Sequence, residues 1–578
     1  MSGAIQVTLE GKGPVTLRPS DHVATGGEGS IYRVSDMVVK IYTDPGKMAK
    51  SGMIDKIKAL TVLQHRCIVA PRGLAVDSAK GPVGYYMPYV DGHPLARVFT
   101  TEFHRREKFT SKHASTLVDR MREVFVFAHG HKAILVDPNE LNWFAQFTGG
   151  DPDPRIVDVD SWSIGRWPPT VVMPSVRDWH AKKFDERTDW FAWGVVTFQV
   201  YTGIHPYKGT LDGYARGDLE NRMRANASVF TPGVRLNQAV RDFSCIPTSL
   251  LSWYEATFQK GERTEPPSPF DKALATPRAI QVLRVVTTAA SGMLVYEKLF
   301  GFPGDEATRI FPCGLALLAS NKLVDLATRQ HSMTVASSDC EVIRVRKGWL
   351  AGWVERGSVR LEFIRDGGLR SEILPFSVKV RQLVGYENRM FGVTDQGLME
   401  IKCTQLGDRV IASAGQTWGI LVNSTKWFDG CGVIDAMGAK FVIAPFGDAA
   451  VTQTRVRELD GVQVIAGKAG NRFVSLIYID KSGTYQKIEL TFNHDYSSYK
   501  VWSGVTDGPE LNLAILPKGV CATILEDGTL AVFAPTSGSV TKVEDRQIAT
   551  DMILSNWGDL VTYIQRGEVW SLRMNSSR

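Results

Sequence analysis

Two textures of hydrophobic and polar positions divide the chain near residue 265. Ahead of that point, short alternating stretches such as VVKIY, ending at Tyr42, predict strands, because successive strand side chains face opposite ways. They give way to runs with apolar residues three and four apart. ASTLVDRMREVFVFAHGH and DWFAWGVVTFQVYTG are two, and both predict helices. The Pro-rich polar stretch GERTEPPSPFDKALATPRA then interrupts every pattern and marks a linker over 265–280. Beyond it, over 281–578, helical periodicity nearly vanishes and short alternating strands dominate.

Seven segments of this second half share one form: an apolar strand, a tight polar turn, another strand. They start at Leu317, Leu350, Met390, Phe441, Phe473, Cys521 and Leu560. Six of the turns carry a glycine (Gly357, Gly397, Gly447, Gly483, Gly528, Gly567), which supplies the positive φ of a tight hairpin. The starts recur on average every ~40 residues, the period of four-stranded propeller blades. The expected all-β half is therefore a β-propeller of seven blades. Six or eight blades, or two stacked β-sandwiches, are the alternatives. SGMLVYEKLF, near the start of this half, is a candidate for closing the ring by adding a strand to the last blade.

Composition narrows the classes. At 578 residues the chain is too long for one core, so two to four domains are expected. It is 44% hydrophobic and 22% charged, ordinary for a soluble globular protein. The net charge of +6 comes from scattered Lys and Arg and gives no support to nucleic acid as a partner. No apolar run reaches ~18 residues and MSGAIQVTLEGKG lacks the form of a secretory signal, so no membrane partner is expected. Seven cysteines, odd in number and without a Cys-x-x-Cys pair, suit free thiols in a reducing compartment. Those features point to the cytoplasm. His129 and His131 have no acidic or thiol company in sequence and read as a polar helix end, not a metal site.

Three stretches of the first half carry candidate chemistry. In ATGGEGSIYRVSDMVVKIY, Gly26, Gly27 and Gly29 let a backbone turn approach a polyanion, and Lys40 follows within an alternating strand. In ILVDPNELNWF, Asp137 and Asn142 stand five apart just outside an apolar run. In RIVDVDSWSI, Asp158 and Asp160 follow another. Singly, each has an ordinary reading: a solvated lysine, an Asp-Pro turn, a calcium-type loop. Their order along ~250 residues is what carries meaning.

In that order the first 265 residues resemble a protein kinase catalytic domain. The closest resemblance is to divergent bacterial kinases associated with tellurite-resistance and stress operons. These share the VKIY-type strand, the D-x-N-x-x-N loop and the D-x-D-S-W segment. The resemblance implies a bilobal α+β domain over 1–264, with a small lobe at about 15–92 and a large lobe at about 93–264. It makes GGEGSIY (Gly26, Gly27, Glu28, Gly29) the nucleotide loop, although Ala24 stands where the first glycine usually lies. Lys40 corresponds to the lysine on the α- and β-phosphates, and Asp55 lies near the helix acid that pairs with it. GYYMPYVDG resembles the segment between lobes, with Met87 as gatekeeper and Pro88, Tyr89 and Val90 offering backbone groups to adenine.

By the same resemblance Asp137 is the catalytic base and Asn139 stands where many kinases place a lysine. Asn142 and Asp158 are the magnesium ligands, and Asp160 either touches metal or positions Asp158. The usual HRD triplet is replaced by Leu135-Val136-Asp137. Asp189, Gly203 and Pro206 bracket a buried central helix, and Arg263 falls near the stabilising arginine of the closing helices. The implied function is ATP- and Mg2+-dependent transfer to Ser or Thr of a protein, with the propeller recruiting a substrate or regulatory protein. An ATP-binding pseudokinase or assembly component is the first alternative, and a small-molecule phosphotransferase the second.

Overall fold

A computed structural model describes residues 4–148, 150–170, 172–237, 239–271, 283–284, 292–366, 371–407, 409–446, 450–525, 528–534 and 539–575. The chain is mostly β, with eight α-helices among the described residues and many small antiparallel sheets. None of those helices is long and apolar enough to cross a membrane.

The first sheet has seven antiparallel strands: β1 (Ile5–Leu9), β2 (Gly13–Leu17), β3 (His22–Thr25), β4 (Gly29–Val34), β5 (Met37–Tyr42), β6 (Gly73–Val76) and β7 (Pro82–Pro88). Their order is β2-β1-β6-β7-β5-β4-β3, which buries β5 between β7 and β4. Two short helices, α1 (Pro45–Lys50) and α2 (Met53–Leu60), follow β5. On α2 the buried residues are Met53, Lys56, Ile57 and Leu60, the three- and four-residue spacing of one helical face.

A helical region follows: α3 (Leu95–Val98), α4 (Thr101–Arg106), α5 (Ser111–Gly130), α6 (Glu186–Thr202), α7 (Leu219–Arg224) and α8 (Thr248–Phe258). Helix α6 is apolar nearly all round and accordingly buried from Thr188 to Thr202. Asp185 caps it by accepting from the amides of Arg187 and Thr188, and Gly203 ends it at φ +78°. The expected linker is anchored where it is described. Arg122 of α5 donates to the Pro266 carbonyl at 2.8 Å and pairs with Glu265, and Ser268 Oγ donates to Asp119 at 2.8 Å. The remainder of 265–280, from 272 on, lies outside the described residues.

Among the described residues, the second half holds seven four-stranded antiparallel sheets. Their second strands begin at Leu315, Gly348, Arg389, Cys431, Phe473, Cys521 and Leu560. Six match the hairpins expected from sequence. The fourth differs by one strand: Phe441 lies in the third strand of its sheet, and the equivalent hairpin is Cys431–Ala436 with Ala439–Phe446, turning at Gly438 with φ +87°. The expected turn at Gly447 lies outside the described residues. Leu294–Phe300, from the start of this half, joins the last sheet by pairing antiparallel with Glu568–Met574. Apolar clusters bridge successive sheets. Trp349 shares one with Leu317, Phe473 shares another with Leu513, and Ile564 of the last of the seven sheets shares a third with Ala316 of the first of them.

The two halves are in contact. Ala96, Leu141 and Met173 pack with Ile465, Ile477, Ile479 and Tyr485. Polar contacts join both ends of the first half to the second: His22 Nδ1 to Ser424 Oγ (2.9 Å), the Thr101 amide to Glu510 (2.7 Å), Lys208 Nζ to the Asp507 carbonyl (2.8 Å) and Arg106 to Asp339.

Candidate functional site

Lys40 is placed by the alternation of β5. It is 6% exposed, and its Nζ donates to Asp160 Oδ2 at 2.7 Å and to Asp158 Oδ1 at 3.1 Å, with Glu28 Oε2 3.7 Å away. Burial alone would lower the Lys40 ammonium, but the carboxylates of Asp158 and Asp160 outweigh it and hold the group well above its usual range. Asp160 has no exposure at all. Besides Lys40 it accepts from Tyr85 OH at 2.8 Å and Tyr42 OH at 3.2 Å. Burial opposes its charge, yet Lys40 and these donors keep its carboxyl below the usual value.

The two acids expected near this lysine are placed differently. Asp160, fully buried and accepting from three donors, is the partner of Lys40. Asp55 does not pair with Lys40: it lies on the exposed face of α2. The residue that α2 turns inward is Lys56, which sequence reading missed although its position in the Met53, Ile57, Leu60 face was visible. Its Nζ donates to the Pro168 carbonyl at 2.9 Å. Burial pushes the Lys56 ammonium down to about 8, against the pull of Asp160, Glu28 and Asp158.

Asp158 adopts φ +59°, a left-handed conformation that Asp tolerates better than most residues. Its side chain is 40% exposed, in contrast with Asp160. The loop carrying Asp137 is pinned by Asp189 at the start of α6. Asp189 accepts from the amides of Leu135 and Val136, both at 2.8 Å, and lies 2.9 Å from His129 Nε2. Val136 is held at φ +65°, a strained conformation for a β-branched residue and one that clusters at functional sites.

Asp137 itself is 9% exposed and accepts from the Met173 amide at 2.9 Å. Burial pushes its carboxyl up to about 6, against hydrogen bonds from Asn139 and Met173. Asn142 Nδ2 donates to the Asp137 carbonyl at 2.9 Å, and the Val157 amide donates to the Asn142 carbonyl at 2.9 Å, tying this loop to the Asp158 segment. Asn139 is buried, and its Oδ1 caps the Leu141 amide at 2.8 Å.

The glycine turn lies at the end of β3. Gly26 and Gly27 are exposed, but the Gly26 amide donates to the Gly29 carbonyl at 2.9 Å within the turn. Gly29 answers to packing: a Cβ there would overlap the carbonyl oxygen of Ile41 on the neighbouring strand. Met87 is buried on β7 opposite Val38. Pro88, Tyr89 and Val90 are half-buried, and the Tyr89 amide is taken by the Asp36 carbonyl at 2.8 Å. The structure thus brings Lys40, Glu28, Asp158 and Asp160 together, and joins Asp137 and Asn142 to the Asp158 segment. It leaves Asp55 outside. Among the described residues no group of three or more His, Cys, Asp or Glu forms a ready-made metal centre.

No family model matches the chain. No curated protein matches it. Among solved structures, the chain is similar to the autoinhibited serine kinase domain of the giant muscle protein titin, at 16% identity and a TM-score of 0.32. That likeness covers 43% of this chain and 75% of the titin domain. A score of that size does not by itself define a shared fold.

Proposed function

We propose that the first half is a kinase-like domain that transfers the γ-phosphoryl group of ATP, with Mg2+, to a Ser or Thr hydroxyl of a protein. The observation that carries this reading is the ordered set Lys40, Asp158, Asp137 and Asn142, gathered between the seven-stranded sheet and the helical region. Phosphoryl transfer needs positioning and charge neutralisation more than covalent help. Lys40 is the fixed cation for the phosphates, and the Gly26–Gly29 turn lies beside it. Asp137 accepts the proton of the attacking hydroxyl. Asn142 commits its Nδ2 to the Asp137 carbonyl, which leaves Oδ1 as its ligand atom; with the Asp158 carboxylate this is a hard-oxygen donor set suited to magnesium. When bound, the ion would supply neutralisation of phosphate charge.

We read the seven sheets as blades of a β-propeller. The strand Leu294–Phe300 on the last sheet and the apolar cluster that holds both Ile564 and Ala316 support that reading, since both tie the end of the half to its beginning. As a recruitment or regulatory module it would bind a protein substrate or regulator. A second reading, nucleotide binding without transfer, draws on Asp55, which lies on the exposed face of α2 instead of beside Lys40. Incubation with labelled ATP, magnesium and a generic protein substrate separates the two. Label in protein supports transfer; magnesium-dependent ATP binding without label supports the second reading.

A further inference from the structure

The fifth sheet of the second half presses a turn onto the loop that carries Asp137. The turn joins Phe473–Ile479 to Tyr485–Phe492. It is stiff, because Asp480 Oδ1 accepts from the amides of Ser482 (2.9 Å) and Thr484 (3.0 Å), and Gln486 donates to its Oδ2 (3.0 Å). Gly483 sits at φ +81°, where a Cβ would overlap Ser175 Oγ and come within 3.0 Å of Met173 Sδ. Tyr485, 1% exposed, donates its hydroxyl to Glu140 Oε1 at 3.0 Å. Glu140 is 2% exposed, and its Oε2 has no hydrogen-bond partner among the described residues. Losing the one hydroxyl donor would therefore leave a buried carboxyl poorly compensated. Met173, gripped from this side, is the residue whose amide holds Asp137, while His205 lies 2.9 Å from the Ser175 carbonyl on the other side.

We infer that Tyr485 and Gly483 are positioning residues for Asp137. The turn clamps Met173–Ser175 and Glu140 and so fixes the base in the transfer site. The inference rests on the function proposed above. It gives the second half a part in the chemistry itself, besides any recruitment of a partner.

The test uses the full chain with three substitutions. Tyr485→Phe removes only the hydroxyl, and Gly483→Ala adds the obstructing Cβ. Gly438→Ala is the control for backbone strain, since it has φ +87° and nothing within 4 Å of an added Cβ. Transfer to casein, ATP affinity and amide exchange over residues 173–176 are measured. In Tyr485→Phe and Gly483→Ala, kcat should fall roughly tenfold or more with the KM for ATP within about twofold, as expected for misplacement of a reacting group. The amides of 173–176 should exchange faster in both, and Gly438→Ala should match wild type. Wild-type transfer with both variants retaining full or raised kcat overturns the inference alone. A wild-type chain that transfers nothing defeats the phosphoryl-transfer reading, and the inference with it.

Discussion

Asp137 and Asp160 are both buried carboxylates, yet their surroundings give them opposite characters. Asp160 has Lys40 and two tyrosine hydroxyls, so it stays charged. Asp137 has hydrogen bonds from Asn139 and the Met173 amide, yet burial outweighs both and pushes it up to about 6. A base works only as the carboxylate. Transfer should therefore be flat above neutrality and fall by about tenfold per pH unit below 6, read as kcat/KM against pH. An unshifted midpoint near 4 would remove Asp137 from this role.

Asp160→Ala should cost about 3–5 kcal/mol in urea unfolding, the range for stranding one member of a buried ion pair. Asp158→Ala, at a part-exposed position, should cost much less stability but lose magnesium-dependent nucleotide binding. The reverse ranking would return Asp160 to the metal. Motif spacing alone could not separate these two acids, because they differ in burial and not in sequence context.

At the scale of elements, the glycine turn makes a sharp contrast. Gly29→Ala should destabilise the domain by about 1–3 kcal/mol, since its Cβ would meet the Ile41 carbonyl on the neighbouring strand. Gly27→Ala meets nothing within 4 Å and should stay within about 0.5 kcal/mol of wild type. Equal costs at the two sites, measured by chemical denaturation, would mean that packing against β5 does not set the turn.

Strands and hairpins were readable from sequence because alternation and turn glycines are local signals. The fourth repeat slipped by one strand because FVIAPFGDAAVTQTRV also has the strand–glycine–strand form. On α2 the reading followed motif position to Asp55. Helical spacing, with Met53, Ile57 and Leu60 on the buried face, points instead to Lys56.

At the scale of the whole molecule, local pattern gave no notice of how the halves meet. Tyr485 and Glu140 are 345 residues apart, and His22 and Ser424 are 402 apart. Sequence length pointed to more than one core, with a linker over 265–280 between the halves. The shared cluster of Ala96, Leu141 and Met173 with Ile465, Ile477 and Tyr485 argues for a standing interface. A protease site inserted between residues 272 and 280, then cut, should give two fragments that co-elute in size-exclusion chromatography. Fragments that elute apart at micromolar concentration would show that the interface does not hold the halves together.

The central claim is that Asp137 acts on a phosphoryl group positioned by Lys40 and Asp158. It is tested most directly by comparing wild type with Asp137→Asn in one preparation, measuring ATP affinity and labelled phosphoryl transfer side by side. The account predicts that the substitution leaves magnesium-dependent ATP affinity within about twofold and reduces transfer by roughly a hundredfold or more, the size expected for loss of a general base. Transfer at the wild-type rate in Asp137→Asn would contradict it.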